Sequence, residues 1–347
     1  MKTLSFLLVL TLISFISKKV EQPTPFVFPS ISYFPEPNYN EQNPITEEGV
    51  LAGRYLFYDS ILSKDYSISC ASCHQQKYAF SDAGKTFSTG MNGLLLDRNT
   101  PPIFNLNWSQ SLFWDGRAST PEQQVLFPVR NHKEMNLDWK TAETRINGSK
   151  FYTDLFSKAF PNKKIDSILI SYAIAQFERT IISNNSKFDK VLRGETHLTK
   201  EEYAGFELVN NQEKGDCLHC HVTDAHGLGT NGKFSNNGLD SSPLDSGQYL
   251  VTQNINDIGK FKIPSLRNLY LTAPYMHDGR FLTVEEVLEF YSSGLQKSYT
   301  IDSKMQHINN GGIQISEVEK KQIIAFLKCL TDSSLILNQD YSNPFIK

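Results

Sequence analysis

Apolar positions along the chain recur mainly at the three- and four-residue spacing of amphipathic helices. Three of the predicted helices begin at a capping box, a Ser or Thr followed three residues later by Glu: Ser316 and Glu319, Thr283 and Glu286, and Thr199 and Glu202. A fourth, longer apolar stripe runs from Ile165 to Phe177. No sustained alternation of apolar and polar positions predicts a strand, so the pattern indicates an all-α fold.

The N-terminal end differs from the rest of the chain. Lys18 and Lys19 close an apolar run over residues 4–17, and Lys2 precedes that run. The run is shorter than the roughly 20 apolar residues of a membrane span. We therefore interpret residues 1–19 as a secretory signal peptide and expect a periplasmic protein. A clear cleavage site is missing, which leaves an uncleaved membrane anchor and a buried first helix as alternatives.

Length and charge narrow the function classes only slightly. The 347 residues, of which 39% are hydrophobic, are enough for two domains with cores of their own. The net charge of −3 gives no electrostatic reason to expect nucleic acid or an anionic membrane surface as a partner.

The cysteines occur mainly in two copies of one short motif, CASCH at 70–74 and CLHCH at 217–221. C-x-x-C-H is the pattern of covalent c-type haem attachment, in which two thiols add to the haem vinyl groups and the adjacent histidine ligates the iron. The attachment residues are then Cys70, Cys73, Cys217 and Cys220. A zinc site would not need a histidine directly after each pair, and disulfides are the other alternative in an exported protein. The fifth cysteine, Cys329, has no adjacent histidine and is predicted to be a buried helix residue.

The two motifs predict two cytochrome c-like domains, each with one covalently bound haem. We place the boundary near residue 190, before the capping box at Thr199. This gives an N-terminal domain at 20–190, a C-terminal domain at 191–335 and a tail at 336–347. Residues 226–242 are rich in Gly and Asn and are predicted to form a loop. The two haem motifs are the only internal repeat that we expect.

Several longer segments carry a family resemblance. They are RNTPPIFNL (98–106), FWDGRASTPEQQ (113–124), EM (134–135), FKIPSLRNL (261–269) and APYMHDGR (273–280). Together with the haem motifs, and in this order, they resemble the bacterial di-haem cytochrome c peroxidases and their MauG-like relatives. The resemblance extends from about residue 47 to about residue 330.

The resemblance implies a role for each matched residue. The first haem would react with peroxide, with His74 as its proximal ligand, and the second haem, with His221, would receive electrons from a donor. Glu134 matches the distal carboxylate that moves protons during peroxide cleavage, and Gln124 matches its partner. Trp114 matches the indole between the two haems. The plainer alternatives are a solvated surface carboxylate at Glu134 and a core tryptophan at Trp114.

A calcium site between the domains is also implied by the resemblance. Asn99, Thr272 and Pro274 match its ligands, and an amide oxygen with backbone carbonyls and waters suits this hard cation. The alternative is ordinary loop capping by Asn99 and Thr272.

The sequence departs from the classical members at both haems. Tyr291 occupies the position at which the classical members carry a methionine, the sixth ligand of the second haem. MauG-like proteins also have tyrosine at this position. A phenolate ligand would lower the haem potential, whereas a thioether raises it; if Tyr291 is only a core residue, Met276 or Met305 would be the ligand. The first haem lacks the distal histidine of many members, so we expect an open distal face, with Met91 as an alternative ligand. His132 is either a distal hydrogen-bonding group or a surface residue.

Three functions follow from these patterns. The first is a peroxidase that reduces hydrogen peroxide with electrons from a small cytochrome c or cupredoxin. The second is a MauG-like enzyme that uses peroxide to oxidise side chains of a partner protein. The third is an electron carrier without turnover, which would not need the distal pair Glu134 and Gln124. The resemblance also allows a homodimer.

Overall fold

The computed structural model describes residues 22–222 and 228–346, so the predicted signal peptide lies outside the described residues. These residues form thirteen α-helices: α1 (Glu47–Tyr58), α2 (Cys70–Cys73), α3 (Pro121–Gln124), α4 (Leu126–Arg130), α5 (Trp139–Gly148), α6 (Lys150–Ala159), α7 (Ser167–Thr180), α8 (Lys187–Leu192), α9 (Lys200–Asn210), α10 (Tyr249–Thr252), α11 (Val284–Ser293), α12 (Glu317–Lys328) and α13 (Ser333–Leu337). None of them is long and apolar enough to cross a membrane.

The helix predictions are confirmed where the sequence carries a capping box. Helices α9, α11 and α12 begin directly after Thr199, Thr283 and Ser316, and both capping-box hydrogen bonds are present in each. The apolar stripe from Ile165 to Phe177 lies largely in α7. The expected helix-rich architecture is therefore observed.

One small sheet was not predicted. Strand β1 (Phe234–Ser235) pairs antiparallel with β2 (Phe261–Lys262), and Phe234 lies opposite Lys262. Strand β1 falls inside the segment 226–242, which we expected to be entirely loop. A strand of two residues is too short to produce a readable alternation of apolar and polar positions.

Two large hydrophobic clusters form the interior. The first is built mainly around α1, α6 and α7, and the second around α9, α11 and α12. Phe188, just before the expected boundary at residue 190, packs in the second cluster. The chain then returns to the first cluster at its C-terminal end, where Leu335 is buried and Tyr341 packs against it. Arg54 of α1 donates a hydrogen bond to the carbonyl of Ser342 at 2.8 Å, so the expected tail packs on the N-terminal half.

The prediction that the haem motifs are the only internal repeat is wrong. FWDGR (113–117) and MHDGR (276–280) form loops of the same conformation, each closed by an antiparallel bridge. Both loops have positive φ at the first residue and at the glycine: Phe113 (64°), Gly116 (78°), Met276 (72°) and Gly279 (64°). We call these two segments the DGR loops.

The repeat extends beyond the DGR loops in constant register. Thr120 and Thr283, which follow the two loops at the same distance, are the N-caps of α3 and α11. In this register Trp114 corresponds to His277 and, further along the chain, Pro128 corresponds to Tyr291. The two halves of the protein therefore place equivalent residues around their two haem motifs.

Candidate active site

A cavity of about 960 Å³ lies in the N-terminal half, beside the first haem motif. Its lining includes all the residues predicted for the peroxide-reacting haem: Cys70, Cys73, His74, Trp114, Gln124 and Glu134. These residues come from α2 and the residue after it, the first DGR loop, α3 and the loop after α4, and the fold brings them together. We call this space the first cavity.

His74, the predicted proximal ligand, is held by backbone in the first cavity. Its Nδ1 lies 2.9 Å from the carbonyl oxygen of Phe80. Burial lowers the pKa of His74, which favours the neutral imidazole. A neutral imidazole that donates through Nδ1 to a carbonyl presents its other nitrogen as a metal ligand.

The distal pair lies in the same cavity. Gln124 ends α3, and Glu134 follows α4 by a short loop. Asn131 donates a hydrogen bond to Glu134 Oε1 at 2.7 Å. Burial raises the pKa of Glu134, against the opposing effects of the Asn131 hydrogen bond and the nearby Arg117 charge. A raised pKa suits a carboxyl group that gives and takes protons near neutral pH.

The other residues considered for the distal side lie elsewhere. Met91 is buried at 2% exposure but is not among the residues that line the first cavity. His132 is exposed and does not line it either. Pro128, the counterpart of Tyr291, lines the cavity, as does Met135 beside Glu134.

A second cavity, of about 250 Å³, lies beside the second haem motif. Cys217, Cys220 and His221 are among its lining residues. The Nδ1 of His221 lies 2.9 Å from the carbonyl oxygen of Pro264, which repeats the arrangement at His74. No two of the five cysteines are joined by a disulfide.

The three candidate sixth ligands, Tyr291, Met276 and Met305, all line the second cavity. Asn237 links two of them, because its Nδ2 donates to the Tyr291 hydroxyl at 3.0 Å and lies 3.7 Å from the Met276 sulfur. Burial raises the pKa of Tyr291 to about 12, and the Asn237 hydrogen bond acts in the opposite direction. Asn237 lies in the segment expected to be loop, and no sequence signal marked it.

The wall between the cavities contains the predicted relay residue. Trp114 lines both cavities, and its Nε1 donates to the Asn99 carbonyl at 2.8 Å. Its ring centroid lies 6.5 Å from that of His277, which stacks on Phe261 at 3.6 Å. Three aromatic rings therefore lie in contact between the two haem motifs.

The expected calcium ligands also come together. Asn99, Thr272 and Pro274 all line the second cavity. The Asn99 Nδ2 donates to the carbonyls of Lys85 and Thr86 at 3.2 and 3.1 Å, which leaves Oδ1 as the acceptor. Within residues 22–222 and 228–346, no group of three or more His, Cys, Asp or Glu side chains could hold a metal ion. Any cation here would depend on neutral oxygen ligands.

Sequence reasoning missed one carboxyl group in the wall of the first cavity. Glu178 of α7 is 2% exposed, and no described residue forms a hydrogen bond to its Oε2. Burial, and then the negative charge of Glu122, raise the pKa of Glu178 to about 8. The adjacent Arg179 does not neutralise it, because its guanidinium pairs with Glu122.

We expect Glu178 to make folding stability fall with rising pH. The folded state keeps the Glu178 proton up to about pH 8, while the unfolded chain loses it at the ordinary carboxyl pKa. Stability therefore declines across this interval, by on the order of a few kcal/mol in total. Urea unfolding at pH 6 and pH 9 would show a smaller decline for Glu178→Gln than for the wild type. The same decline in both proteins, with exposed Glu207→Gln as control, would contradict this prediction.

These features define a helix-rich oxidoreductase with two cofactor cavities. The sequence profile described as Di-haem cytochrome c peroxidase matches residues 47–197. The chain is 33% identical to the methylamine utilization protein MauG of Methylophilus methylotrophus, over 84% of this chain and 85% of the relative. It is also 33% identical to the cytochrome c551 peroxidase of Nitrosomonas europaea, over 80% and 78%. The chain belongs to the di-haem cytochrome c peroxidase family, as its motifs predicted.

A solved structure agrees with this assignment. The crystal structure of a MauG-like protein associated with microbial copper homeostasis superimposes with a TM-score of 0.84 and 34% identity. The alignment covers 92% of this chain and 99% of that one. The predictions of an enzyme of the cytochrome c peroxidase class and of haem as its cofactor are confirmed at the level of the family.

The residues present fit haem in both cavities. Each cavity has a C-x-x-C-H motif in its wall and a histidine whose Nδ1 is held by a carbonyl. Each is also lined by a serine whose buried hydroxyl has no hydrogen-bond partner in the described part of the chain, Ser111 in the first and Ser235 in the second. Such hydroxyls suit a cofactor that carries polar groups.

Proposed function

We propose that the chain is a di-haem c-type peroxidase that reduces hydrogen peroxide to water. A small periplasmic redox protein, a cytochrome c or cupredoxin, gives electrons to the haem of the C-terminal domain (191–335). They pass to the haem of the N-terminal domain (20–190), where peroxide reacts. The observation that carries this proposal is the pair Glu134 and Gln124 in the same cavity as His74. A pure electron carrier would have no use for this pair.

The haem groups supply the electron transfer, and the chain supplies the proton transfer and the geometry. Peroxide, two electrons and two protons give two water molecules. Glu134 accepts a proton from one peroxide oxygen and delivers it to the other, so that the bond between them breaks with water as the leaving group. Asn131 holds the Glu134 carboxyl in place. Gln124 orients the peroxide by its amide group.

Trp114 relays electrons between the two cavities that it lines. If calcium binds here, the Asn99 side chain and the carbonyls of Thr272 and Pro274 would hold it, and it would fix the segment that accepts the Trp114 hydrogen bond. This role follows from Asn99, which is both a proposed ligand and the acceptor for Trp114 Nε1.

The internal repeat supports an open distal face at the first haem. Tyr291, the proposed sixth ligand in the second cavity, corresponds in register to Pro128 in the first. Proline has no side-chain atom that can ligate iron. Peroxide would then reach the first haem without prior displacement of a ligand.

A MauG-like enzyme that oxidises a partner protein is the second candidate. The hydrogen bond from Asn237 to the Tyr291 hydroxyl favours it, because a hydrogen-bond donor stabilises a phenolate ligand. Phenolate ligation lowers the haem potential and favours higher iron oxidation states. The protein substrate would then be oxidised at a distance, through Trp114.

Replacing Tyr291 distinguishes the two candidates. We expect the as-isolated ferric protein to give one high-spin and one low-spin haem signal in electron paramagnetic resonance. If the low-spin signal alone changes in Tyr291→Phe and Tyr291→Met, and Tyr291→Met raises the potential of that haem, Tyr291 is the ligand and the MauG-like enzyme is favoured. If the low-spin signal persists in Tyr291→Phe, Met276 or Met305 is the ligand, and the conventional peroxidase is the better account.

A further inference from the structure

Lys262 occupies an unusual place in the wall between the cavities. It belongs to the short strand β2, and its backbone N–H donates to the Trp114 carbonyl at 2.8 Å. Lys262 is a lining residue of both the first and the second cavity. Lys262 therefore lies in the wall between the two spaces.

The Lys262 charge lacks a counterion in the part of the chain that the structure describes. Its Nζ donates one hydrogen bond, to the Ser111 carbonyl at 3.2 Å, and forms no ion pair. Burial alone lowers the pKa of Lys262 to about 8, and no carboxylate opposes that effect. Arg98, which lines the first cavity, is by contrast matched by Asp115 and Asp245. A buried charge without an anion points to a ligand that carries one.

Two hydroxyl groups lead to the same conclusion. Ser111, whose carbonyl accepts the Lys262 hydrogen bond, has a buried Oγ without a partner and lines the first cavity. Ser235, on the strand that pairs with β2, is 8% exposed, has an unpartnered Oγ and lines the second. Each cavity thus has one serine with an unpartnered hydroxyl among its lining residues, and Lys262 lines both cavities.

We propose that Lys262, Ser111 and Ser235 form a carboxylate-binding bridge between the two haems. Each haem carries propionate carboxylates, which accept hydrogen bonds from a cation or a hydroxyl. Lys262 binds a propionate of each haem, Ser111 adds a hydrogen bond in the first cavity, and Ser235 adds one in the second. This inference rests on the proposed binding of one haem in each cavity.

The bridge has an electrostatic consequence. A positive charge near haem stabilises the reduced state, because reduction adds an electron. Lys262 therefore raises the reduction potentials of both haems at once. Each serine lines one cavity only, so each raises the potential of one haem only.

The test is a spectroelectrochemical titration of the full-length holoprotein, after its haem content has been measured by the pyridine haemochrome assay. We expect Lys262→Met to lower both potentials and Lys262→Arg to restore most of the loss. The control, Lys260→Met, removes the same charge two residues away, where the side chain pairs with Asp257, and should leave both potentials unchanged.

The serine variants keep the proposal testable if Lys262→Met does not fold. Ser111→Ala should lower the potential of the first haem alone, and Ser235→Ala that of the second alone. Suppose that the variants contain two haems and that the potentials are unchanged in Lys262→Met, or in both serine variants. This result would overturn the bridge but would not contradict the proposed function. A wild-type chain with fewer than two haems would overturn both.

Discussion

Replacing Glu134 by Gln is expected to lower the rate of peroxide turnover by about 10²–10⁴-fold. Glutamine keeps the size of the side chain and its acceptor for the Asn131 amide, so the cavity should keep its shape. It cannot accept the peroxide proton, and the step that breaks the peroxide bond therefore loses its acid and base. Steady-state oxidation of a reduced cytochrome c at saturating peroxide would measure the loss.

The expected loss of turnover depends on the position of Glu134 in the first cavity. Removing a carboxylate elsewhere should not cause it. Glu207 on α9 is exposed, and Glu207→Gln should leave turnover unchanged. Absorption spectra and haem content of Glu134→Gln should match those of the wild type. A loss below about threefold in Glu134→Gln would mean that another group moves the proton, and the distal assignment would fail.

The sequence alone predicted the features that depend on interactions between residues close together in the chain. A capping box closes within four residues, so Thr199, Thr283 and Ser316 predicted the starts of α9, α11 and α12. A C-x-x-C-H motif likewise carries the spacing that its chemistry needs in five consecutive residues. The family motifs also indicated Glu134 and Gln124. No rule about neighbouring residues predicts that these two side chains line the same cavity.

The residues that were missed depend on contacts between distant segments. Asn237 meets Tyr291 across 54 positions, and its own neighbourhood in the sequence reads as an ordinary loop. Glu178 lies in a helix whose periodicity is unremarkable, and its raised pKa comes from burial by the assembled first cluster. Nothing in the sequence of the tail (336–347) shows that it packs against α1, where Arg54 donates a hydrogen bond to the Ser342 carbonyl.

The second repeat was missed for a different reason. Asp, Gly and Arg recur in both DGR loops, but the positions that face the cavities have diverged. Trp114 corresponds to His277, and Pro128 to Tyr291. Backbone conformation preserves the relation, as the matched positive φ values of Phe113 and Met276 show. Divergence at these positions is what would be expected if the two haems perform different tasks.

Replacing Asp189 by Asn is expected to cost about 3–5 kcal/mol of folding stability. The Asp189 carboxylate and the Arg267 guanidinium form an ion pair in which both side chains are 0% exposed, with Nη1 to Oδ1 at 3.0 Å. The pair joins α8 to the loop that follows β2, and Asp189 also accepts the backbone N–H of Ser186. Without the carboxylate, the buried Arg267 guanidinium loses its ion pair with Asp189. Urea unfolding of the holoprotein would measure the change.

An exposed pair supplies the control for this prediction. Lys150 and Asp154 lie one helical turn apart on α6 with 87% and 61% of their side chains exposed, so Asp154→Asn should cost about 0–1 kcal/mol. The double variant Asp189→Leu with Arg267→Met removes both charges and should be more stable than Asp189→Asn. Equal losses in Asp189→Asn and Asp154→Asn would show that water reaches the Arg267 site. The position of α8 against the second cluster would then depend on Phe188 and its apolar neighbours, and not on the ion pair.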